Sequence, residues 1–297
     1  MKRKQRQSVQ NSDDLSEIIA ATAGHPGPIG VFDSGYGGLT VLRSLISELP
    51  EADFIYLGDN ARAPYGNRSF DLVYSFTLQA VLYLFARGCQ LVILACNTAS
   101  AKALRTIQQV DLPQLDPDRR VLGVIRPTAE IIGSITRTGA IGLVGTVGTV
   151  ASGSYDMELA KLHPHIRLYS KACPMWVPLV ENLEADGPGA DYFVRRDIQA
   201  LMEMNRDIDT IILGCTHYPL LLDKIRQYVP STVTVLPQGD IVAHSLADYL
   251  RRHPDMDARI TRGGTVEYIT TEQPDKFSQL AAVFMGRPVE AVRQDLQ

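Results

Sequence analysis

The sequence predicts an α/β protein made of two similar domains, each with a parallel-type sheet flanked by helices. Short and nearly continuous apolar runs, such as those at 29–32, 91–95 and 210–214, are typical of strands that are covered on both faces. Amphipathic stretches at 70–87 and 191–204 lie between such runs and predict helices. This alternation of strand and helix favours parallel sheets.

The predicted strands form two sets along the chain. The first set comprises IGVF (29–32), DFIYL (53–57), LVILA (91–95) and VLGVI (121–125). The second set comprises AIGLVG (140–145), HIRLYS (165–170), TIILG (210–214) and TVTVL (232–236). In each set one apolar strand ends on a cysteine that is followed by small polar residues, which indicates a degenerate internal repeat.

Size and composition narrow the class of protein. The chain has 297 residues, enough for two domains of ordinary size. Hydrophobic residues make up 45% and charged residues 21%, as in an ordinary soluble globular protein. The net charge of −4 lacks the basic excess that direct nucleic-acid binding requires. No apolar run reaches the roughly 18 residues that cross a bilayer, so no membrane partner is expected.

The N-terminal residues and the cysteines indicate the cellular compartment. Asp13, Asp14 and Glu17 stand where a signal peptide would be apolar, so we expect a disordered extension rather than an export signal. The cysteines show no CxxC spacing, which favours reduced thiols in the cytoplasm. Cys89 and Cys173 are interpreted as buried apolar filler.

The other two cysteines, Cys96 and Cys215, each come directly after an apolar strand. Asn97 and Thr98 follow the first, and Thr216 follows the second, as residues able to cap the next helix. Ligands of open parallel sheets gather outside the carboxyl ends of the strands. We therefore expect two domains that face one another, with one thiol on each side of a shared cleft.

Polar loops follow other predicted strands as well. FDSGYGG (32–38) could bind phosphate, but it is not GxGxxG, its acidic Asp33 would repel phosphate, and Asp33 could instead cap a helix. YLGDNARAPYGNRS (56–69) is either an ordered ligand loop or an ordinary turn. In GLVGTVGTVASGSY (142–155), hydroxyls could bind a small carboxylate or cap helices, and both interpretations remain open.

Three chemistries use a pair of cysteines: disulfide exchange, metal capture, and proton transfer at opposite faces of a carbon. Disulfide exchange commonly uses CxxC, and the two cysteines here are far apart in sequence. A metal held by Cys96, Cys215 and His217 would lack the short ligand spacing of zinc sites, so no metal is expected. Proton transfer fits better, because a thiolate accepts a proton and a thiol donates one. Asp33 and His217 could tune and relay these protons.

The chain resembles the glutamate racemases of the cofactor-independent aspartate/glutamate racemase superfamily. The segments that carry the resemblance, between Pro28 and about Asp240, are GVFDSGYGGLTVL, YLGDNARAPYG, LACNTASA, GVIRPTAE, GLVGTVGTVASGSY and LGCTHYPLL. The resemblance implies two α/β domains with the active site in the interdomain cleft. It also implies a division of the chain into an extension (1–27), a first domain (28–120 with 237–297) and a second domain (121–236).

The resemblance also implies roles for individual residues. Cys96 would deprotonate D-glutamate with the assistance of Asp33. Cys215 would deprotonate L-glutamate with the assistance of His217 and Glu181. The residues expected to contact substrate are Asp33, Ser34, Asp59, Tyr65, Gly66, Asn97, Thr98, Thr149, Thr216 and His217. The chain departs from the family's usual pattern at Arg126 and Thr128, where an acidic residue and a glycine are common.

The expected activity is interconversion of L- and D-glutamate without cofactor or metal, supplying D-glutamate for peptidoglycan. The resemblance further implies a homodimer, and in some relatives an N-terminal extension accompanies regulation by a cell-wall precursor. Three alternatives remain open at this point: a sister racemase acting on aspartate or a hydantoin, a non-catalytic amino-acid-binding protein, and a gyrase-regulating protein.

Overall fold

Two parallel sheets form the centre of the structure, a computed structural model in which residues 12–296 are described. The larger sheet has six strands in the order β10-β9-β2-β1-β3-β4, and the smaller has four in the order β6-β5-β7-β8. The strands are β1 (Ile29–Asp33), β2 (Phe54–Gly58), β3 (Leu91–Leu94), β4 (Arg120–Gly123), β5 (Ala140–Gly145), β6 (Arg167–Ala172), β7 (Thr210–Gly214), β8 (Thr234–Leu236), β9 (Val266–Thr270) and β10 (Ala291–Arg293).

Helices connect and cover the strands. They are α1 (Ser12–Ala21), α2 (Leu39–Glu48), α3 (Phe70–Ala86), α4 (Asn97–Lys102), α5 (Leu104–Thr106), α6 (Leu112–Leu115), α7 (Ile125–Ile135), α8 (Val147–Ala151), α9 (Ser154–Leu162), α10 (Trp176–Glu181), α11 (Pro188–Met204), α12 (Leu222–Tyr228), α13 (Gly239–Arg252), α14 (Pro254–Asp257) and α15 (Pro274–Met285). A π-helical turn (Ile107–Asp111) and two short 3₁₀ segments (Asn60–Arg62 and Tyr218–Leu221) complete the regular structure of the described residues.

The central strands are apolar and buried on both faces, which confirms the predicted α/β fold with parallel sheets. Every residue of β1, β2, β3, β5 and β7 is buried. In parallel sheets with helices on both faces, no strand face meets water, so period-two alternation is absent and continuous Val/Ile/Leu runs result. Helix α3 begins where the Ser69 hydroxyl accepts the Leu72 N–H at 3.4 Å, an ordinary N-cap.

The strand register brings the polar strand ends together. Asp33 closes β1 opposite Gly58 of β2, and Phe32 pairs with Leu94 of β3, so Cys96 lies beside the loop that follows β1. In the smaller sheet, Gly145 of β5 pairs with Gly214 of β7. The residues just beyond both strands therefore lie at one edge of that sheet.

The chain crosses between the sheets twice. The first crossing follows β4 and enters α7, and the second follows β8 and enters α13, which packs against α2 and α7. Strands β9 and β10, which were not among the predicted strands, then extend the larger sheet beside β2. Because β4 pairs with β3, the expected domain boundary at 120/121 would cut a strand, and the change of sheet comes after Gly123.

The expectation of a disordered extension at 1–27 is wrong for residues 12–21, which form α1, while residues 1–11 lie outside the described part of the chain. Ile19 is buried in the same apolar cluster as Phe85 of α3. The fully buried Arg119 guanidinium donates to the Ile19 carbonyl at 2.9 Å and to the Phe85 carbonyl at 2.7 Å. The acidic residues suggested disorder, but burial of one isoleucine and these hydrogen bonds hold the helix.

Candidate active site

A cavity of about 160 Å³ lies between the carboxyl edges of the two sheets, and both strand-end cysteines line it. The site residues expected from the sequence that line this cavity are Ser34, Tyr65, Gly66, Cys96, Asn97, Thr98, Glu181, Cys215, Thr216 and His217. Asp33, Asp59 and Thr149 were also expected, but they lie behind the cavity wall. A larger cavity of about 1060 Å³ contains neither cysteine.

Cys96 begins α4 and is almost fully buried. Its sulfur accepts the Ala99 N–H at 3.5 Å, which caps the helix, and its thiol donates to the Ser34 hydroxyl at 3.5 Å. Burial, and next the nearby carboxylate of Asp33, raise the pKa of Cys96 to about 12, against the opposing hydrogen bonds from Ser34 and Ala99. In this environment Cys96 holds its proton and can act as an acid.

Asp33 is fully buried at the end of β1 and joins the two halves of the site. One carboxylate oxygen accepts the Gly35 N–H at 2.8 Å, and the other accepts the Thr216 hydroxyl at 3.3 Å. Burial raises the pKa of Asp33 above its ordinary value, although the positive charge of His217 and the backbone N–H groups of Gly35 and Gly38 oppose the shift. Asp33 can therefore exchange protons more readily than an exposed aspartate.

Cys215, His217 and Glu181 form a chain of polar groups on the opposite side. The Cys215 sulfur lies 3.8 Å from His217 Nδ1, and His217 Nε2 lies 2.9 Å from Glu181 Oε1. Burial lowers the pKa of His217, but its hydrogen bonds to Cys215 and Glu181 outweigh burial and raise it to about 10. At neutral pH the imidazole is therefore positively charged beside the Cys215 sulfur.

Gly37 allows the loop after β1 to approach the second cysteine segment. A Cβ at this position would lie 2.2 Å from Thr216 Oγ1 and 2.4 Å from His217 Nδ1, distances that no side chain can adopt. The hydroxyl of Thr40, the second residue of α2, donates to the Thr216 carbonyl at 3.0 Å. The absence of a side chain at Gly37 therefore allows the loop after β1 to pack against the segment that follows β7.

Three threonine hydroxyls form a cluster on another wall of the cavity. Thr98 Oγ1 lies 2.9 Å from Thr146 Oγ1 and 3.3 Å from Thr149 Oγ1, and Thr146 also accepts the Thr149 N–H at 3.1 Å. Thr146 lines the cavity, whereas Thr149 supports it from behind. Thr146 and Thr149 belong to one strand-end loop, for which the sequence left helix capping and ligand binding as alternatives. In the structure Thr146 both caps α8 and lines the cavity.

Asp59 acts on the site through Tyr65. Its carboxylate accepts from Arg62 Nε at 2.6 Å, from the Thr271 hydroxyl at 2.9 Å and from the Tyr65 hydroxyl. Tyr65 is fully buried and reaches the cavity together with the adjacent Gly66. Asp59 thus anchors the loop that closes one side of the cavity.

Sequence reasoning missed several residues of the apolar wall, including Cys173. Cys173 is buried, as expected for filler, but it also lines the cavity beside Val177 and Pro178. A signal was available, because Cys173 follows β6 directly, as Cys215 follows β7. Burial raises the pKa of Cys173. The residue therefore presents an uncharged surface to a ligand.

The described part of the chain offers neither a metal-binding cluster nor a membrane-spanning helix. Residues 12–296 contain no group of three or more His, Cys, Asp or Glu side chains arranged to hold a metal ion. Within the same residues, no helix has the length and apolar character needed to span a bilayer.

The match to a known family agrees with this geometry. Residues 29–246 match the family described as Asp/Glu/Hydantoin racemase. The chain belongs to this family. Among curated members, the glutamate racemase of Roseobacter denitrificans is 42% identical over 273 residues, which cover 88% of this chain and 98% of the relative.

Solved structures of the racemase family are similar over almost the same length. A glutamate racemase isoform of Bacillus anthracis has a TM-score of 0.83 at 34% identity and covers 91% of this chain and 98% of its own. The glutamate racemase of Francisella tularensis, crystallised in complex with D-glutamate, has a TM-score of 0.80 at 28% identity and covers 91% of this chain and 97% of its own.

Proposed function

We propose that this racemase-family protein interconverts L- and D-glutamate without a cofactor, using two thiols as acid and base. The observation that carries the proposal is the position of Cys96 and Cys215, which line one cavity from the ends of strands in different sheets. The similarity to glutamate racemases over most of the chain supports glutamate as the substrate. Inversion of a stereocentre needs a base at one face and an acid at the other, and the two cysteines provide both.

The proposed step from L- to D-glutamate begins at Cys215. Its sulfur, beside the positively charged His217, takes the α-proton, and the C–H bonding electrons remain on the α-carbon. The Cys96 thiol gives its proton to the opposite face and becomes a thiolate. The reverse direction exchanges these roles, with Asp33 supporting Cys96 and Glu181 supporting His217.

The α-carbon of an amino acid is a weak acid, so the site must stabilise the developing carbanion. We assign this to the polar groups that converge on the cavity: the hydroxyls of Ser34, Thr98 and Thr216 and the amide of Asn97. Tyr65 and Gly66 would complete the wall around the substrate, with Thr149 and Asp59 behind it. The burial of both sulfurs keeps water from the reacting carbon.

The deciding experiment is α-proton exchange on L-glutamate in D₂O, with no cofactor and with a chelator present. Circular dichroism would follow inversion and NMR would follow deuterium uptake for the wild type, Cys96→Ser and Cys215→Ser. We expect the wild type to invert and exchange, and both single variants to stop inverting. Exchange that survives in one variant would show which face the remaining cysteine serves.

The same experiment separates the alternatives. The wild type could leave glutamate unchanged but exchange the proton at the stereocentre of aspartate or of a hydantoin. In that case the two-thiol chemistry stands and the substrate assignment fails. If no such compound exchanges its α-proton while glutamate still binds, the protein is an amino-acid-binding protein. A gyrase-regulating role would be tested separately, by adding the protein to a supercoiling assay.

The wider context is also proposed: a cytoplasmic homodimer that supplies D-glutamate for peptidoglycan and responds to a cell-wall precursor. We place a regulatory site for an anion at the larger cavity, where the basic side chains outnumber Glu130 and Glu158, which pair with three of them: Lys102, Arg105, Arg126, Lys161 and Arg252. Sedimentation would test the dimer. Titration calorimetry with a uridine-diphosphate-linked precursor, for the wild type and Arg126→Ala, would test the regulator.

A further inference from the structure

A closed ring of side-chain hydrogen bonds lies behind Cys96. The Asn97 amide donates to Gln238 Oε1 at 2.6 Å, the Gln238 amide donates to the Tyr155 hydroxyl at 2.8 Å, and that hydroxyl donates to Asn97 Oδ1 at 2.7 Å. Each member donates once and accepts once within the ring. All three side chains are buried, at 2%, 3% and 1% exposure, so water cannot replace a lost bond.

The second N–H of Gln238 is used as well. It donates to the Thr128 hydroxyl at 2.8 Å, and that hydroxyl donates to the Val124 carbonyl at 2.9 Å. The Val124 carbonyl oxygen also accepts directly from Gln238 Nε2, at 3.2 Å. This connection to α7 therefore depends on the Thr128 side chain.

The three residues of the ring, and Thr128 outside it, come from different parts of the chain. Asn97 follows Cys96 on the larger sheet, and Tyr155 lies in α9, against the smaller sheet. Thr128 and Gln238 lie just after the first and second crossings between the sheets. A change in the angle between the sheets must therefore carry the ring members with it or break the ring.

We propose that Gln238 is a positioning residue. It holds the Asn97 side chain and thereby fixes the position of Cys96 at the N-terminus of α4. Asn97 is the first residue of α4, and Cys96 is its cap. A free Asn97 side chain would allow this first turn to shift, and the Cys96 sulfur would move relative to the substrate. Proton transfer is sensitive to such shifts, and a misplacement of about 1 Å can cost about 100-fold in rate.

The test uses two variants that open the ring at different members, Gln238→Leu and Tyr155→Phe, with Thr128→Val as the matched control. Thr128→Val removes a buried hydroxyl that contacts Gln238 but leaves the ring closed. Two properties are measured for each: kcat/KM for both enantiomers of glutamate, and the rate of iodoacetamide alkylation at each cysteine by peptide mass spectrometry. The kinetic measurement rests on the proposed racemisation, whereas the alkylation measurement does not.

We expect either ring variant to lower kcat/KM by about 10- to 100-fold and to speed alkylation of Cys96 several-fold. Alkylation of Cys89, which is fully buried in the core of the larger sheet, should stay at the wild-type rate. The double variant should be no worse than the more damaged single variant, because the ring is already open. Thr128→Val should keep the wild-type kcat/KM and the wild-type Cys96 rate.

Two results would overturn the inference. One is a ring variant with wild-type kcat/KM and wild-type alkylation of Cys96. The other is equal acceleration at Cys89 and Cys96, which would mean general loosening. If the wild type itself does not act on glutamate, the proposed function fails while the alkylation rates still decide the role of Gln238. If Gln238→Leu does not fold, Tyr155→Phe supplies both measurements.

Discussion

At the scale of single residues, the two cysteines have different partners although they arise from similar sequence segments. Burial, and next a nearby buried carboxylate, raise the pKa of Cys96 to about 12, while Cys215 lies 3.8 Å from a positively charged imidazole. The first environment keeps the proton on Cys96, and the second sets a positive charge beside the Cys215 sulfur. The two walls of the cavity therefore differ in charge, as the proposed roles of acid and base require.

His217→Asn should remove the positive charge beside Cys215 and lower kcat/KM by about 100-fold or more. The hydrogen bonds of folded His217 raise its pKa from 6.5 to about 10, so its protonated form contributes stability that is fully present below pH 6.5. That contribution is lost as pH rises through about 10, so the difference in unfolding free energy between wild type and variant should shrink there. Kinetics and urea unfolding across pH would measure both effects.

The control for His217→Asn is His244→Gln, since the His244 side chain is 71% exposed on α13. We expect wild-type kinetics for this variant. A His217→Asn protein with wild-type kcat/KM would contradict the role assigned to the imidazolium.

Gly37→Ala should impair both folding stability and activity, because the new Cβ would overlap Thr216 Oγ1 and His217 Nδ1. Overpacking of this kind typically costs about 1–3 kcal/mol, and here it would also displace His217 from Cys215. Gly189→Ala is the matched control, since its Cβ would meet only Leu179 at an ordinary 3.6 Å. Thermal unfolding and kcat/KM of the two variants should diverge, and equal behaviour would refute the steric argument.

At the scale of elements, the connection between α7 and β5 depends on one aspartate at the start of β7. Asp209 accepts the Thr136 hydroxyl at 2.7 Å and the N–H groups of Arg137 and Thr138 at 2.7 and 2.9 Å. These bonds fasten the turn between α7 and β5 to the strand that leads to Cys215. The position of the second thiol therefore depends on a carboxylate at the opposite end of its strand.

Asp209→Asn should lower the unfolding free energy at neutral pH by about 1–2 kcal/mol, a value reduced for the partial exposure of this carboxylate. Burial alone would raise the pKa of Asp209, but the hydrogen bonds it accepts, the Thr136 hydroxyl first, lower it from 3.8 to about 2. Its stabilising contribution is therefore present above pH 4 and lost as pH falls towards 2.

Urea unfolding between pH 2 and 7 would show this dependence, with Asp207→Asn as the control. Asp207 lies two residues earlier and is exposed, so its replacement should leave the free energy of unfolding at neutral pH close to the wild-type value. If Asp209→Asn and the wild type lose stability equally in acid, the carboxylate does not hold the turn.

At the scale of the whole molecule, much of the site could be predicted because parallel sheets share one rule. Polar residues at the carboxyl ends of strands meet ligands, and this rule brought together Cys96 and Cys215 from segments about 120 residues apart in sequence. The role of Glu181 follows only from the family resemblance, because no local pattern in the sequence predicts that Glu181, at the end of α10, contacts His217. Gln238 left no signal, since its function depends on contacts between both crossings.

Similar limits explain the errors at the edges of the fold. The stretch before Pro28 is polar enough to resemble a disordered tail, yet Ile19 contacts a core that only the folded sheet creates. The boundary at 120/121 fell within β4, because the change from one sheet to the other leaves the apolar pattern of VLGVI unbroken. Local patterns define elements, whereas tertiary pairing decides the sheet to which each belongs.

Because walls from both sheets enclose the cavity, glutamate should stabilise the whole chain as one unit. A ligand present at about 100 times its Kd adds about 2.7 kcal/mol to the free energy of unfolding, which corresponds to a rise in Tm of roughly 4 °C for a protein of this size. The variant Cys96→Ser/Cys215→Ser prevents turnover, so L- and D-glutamate can be tested separately by calorimetry. We expect both enantiomers to raise the Tm of a single transition, since in the proposed site the same hydroxyls and amide would receive the carboxylates of each. D-lysine, whose side chain is positively charged, is the control and should leave Tm unchanged. Two transitions of which glutamate raises only one would mean that the ligand contacts one sheet alone, and the shared-cavity mechanism would then be wrong.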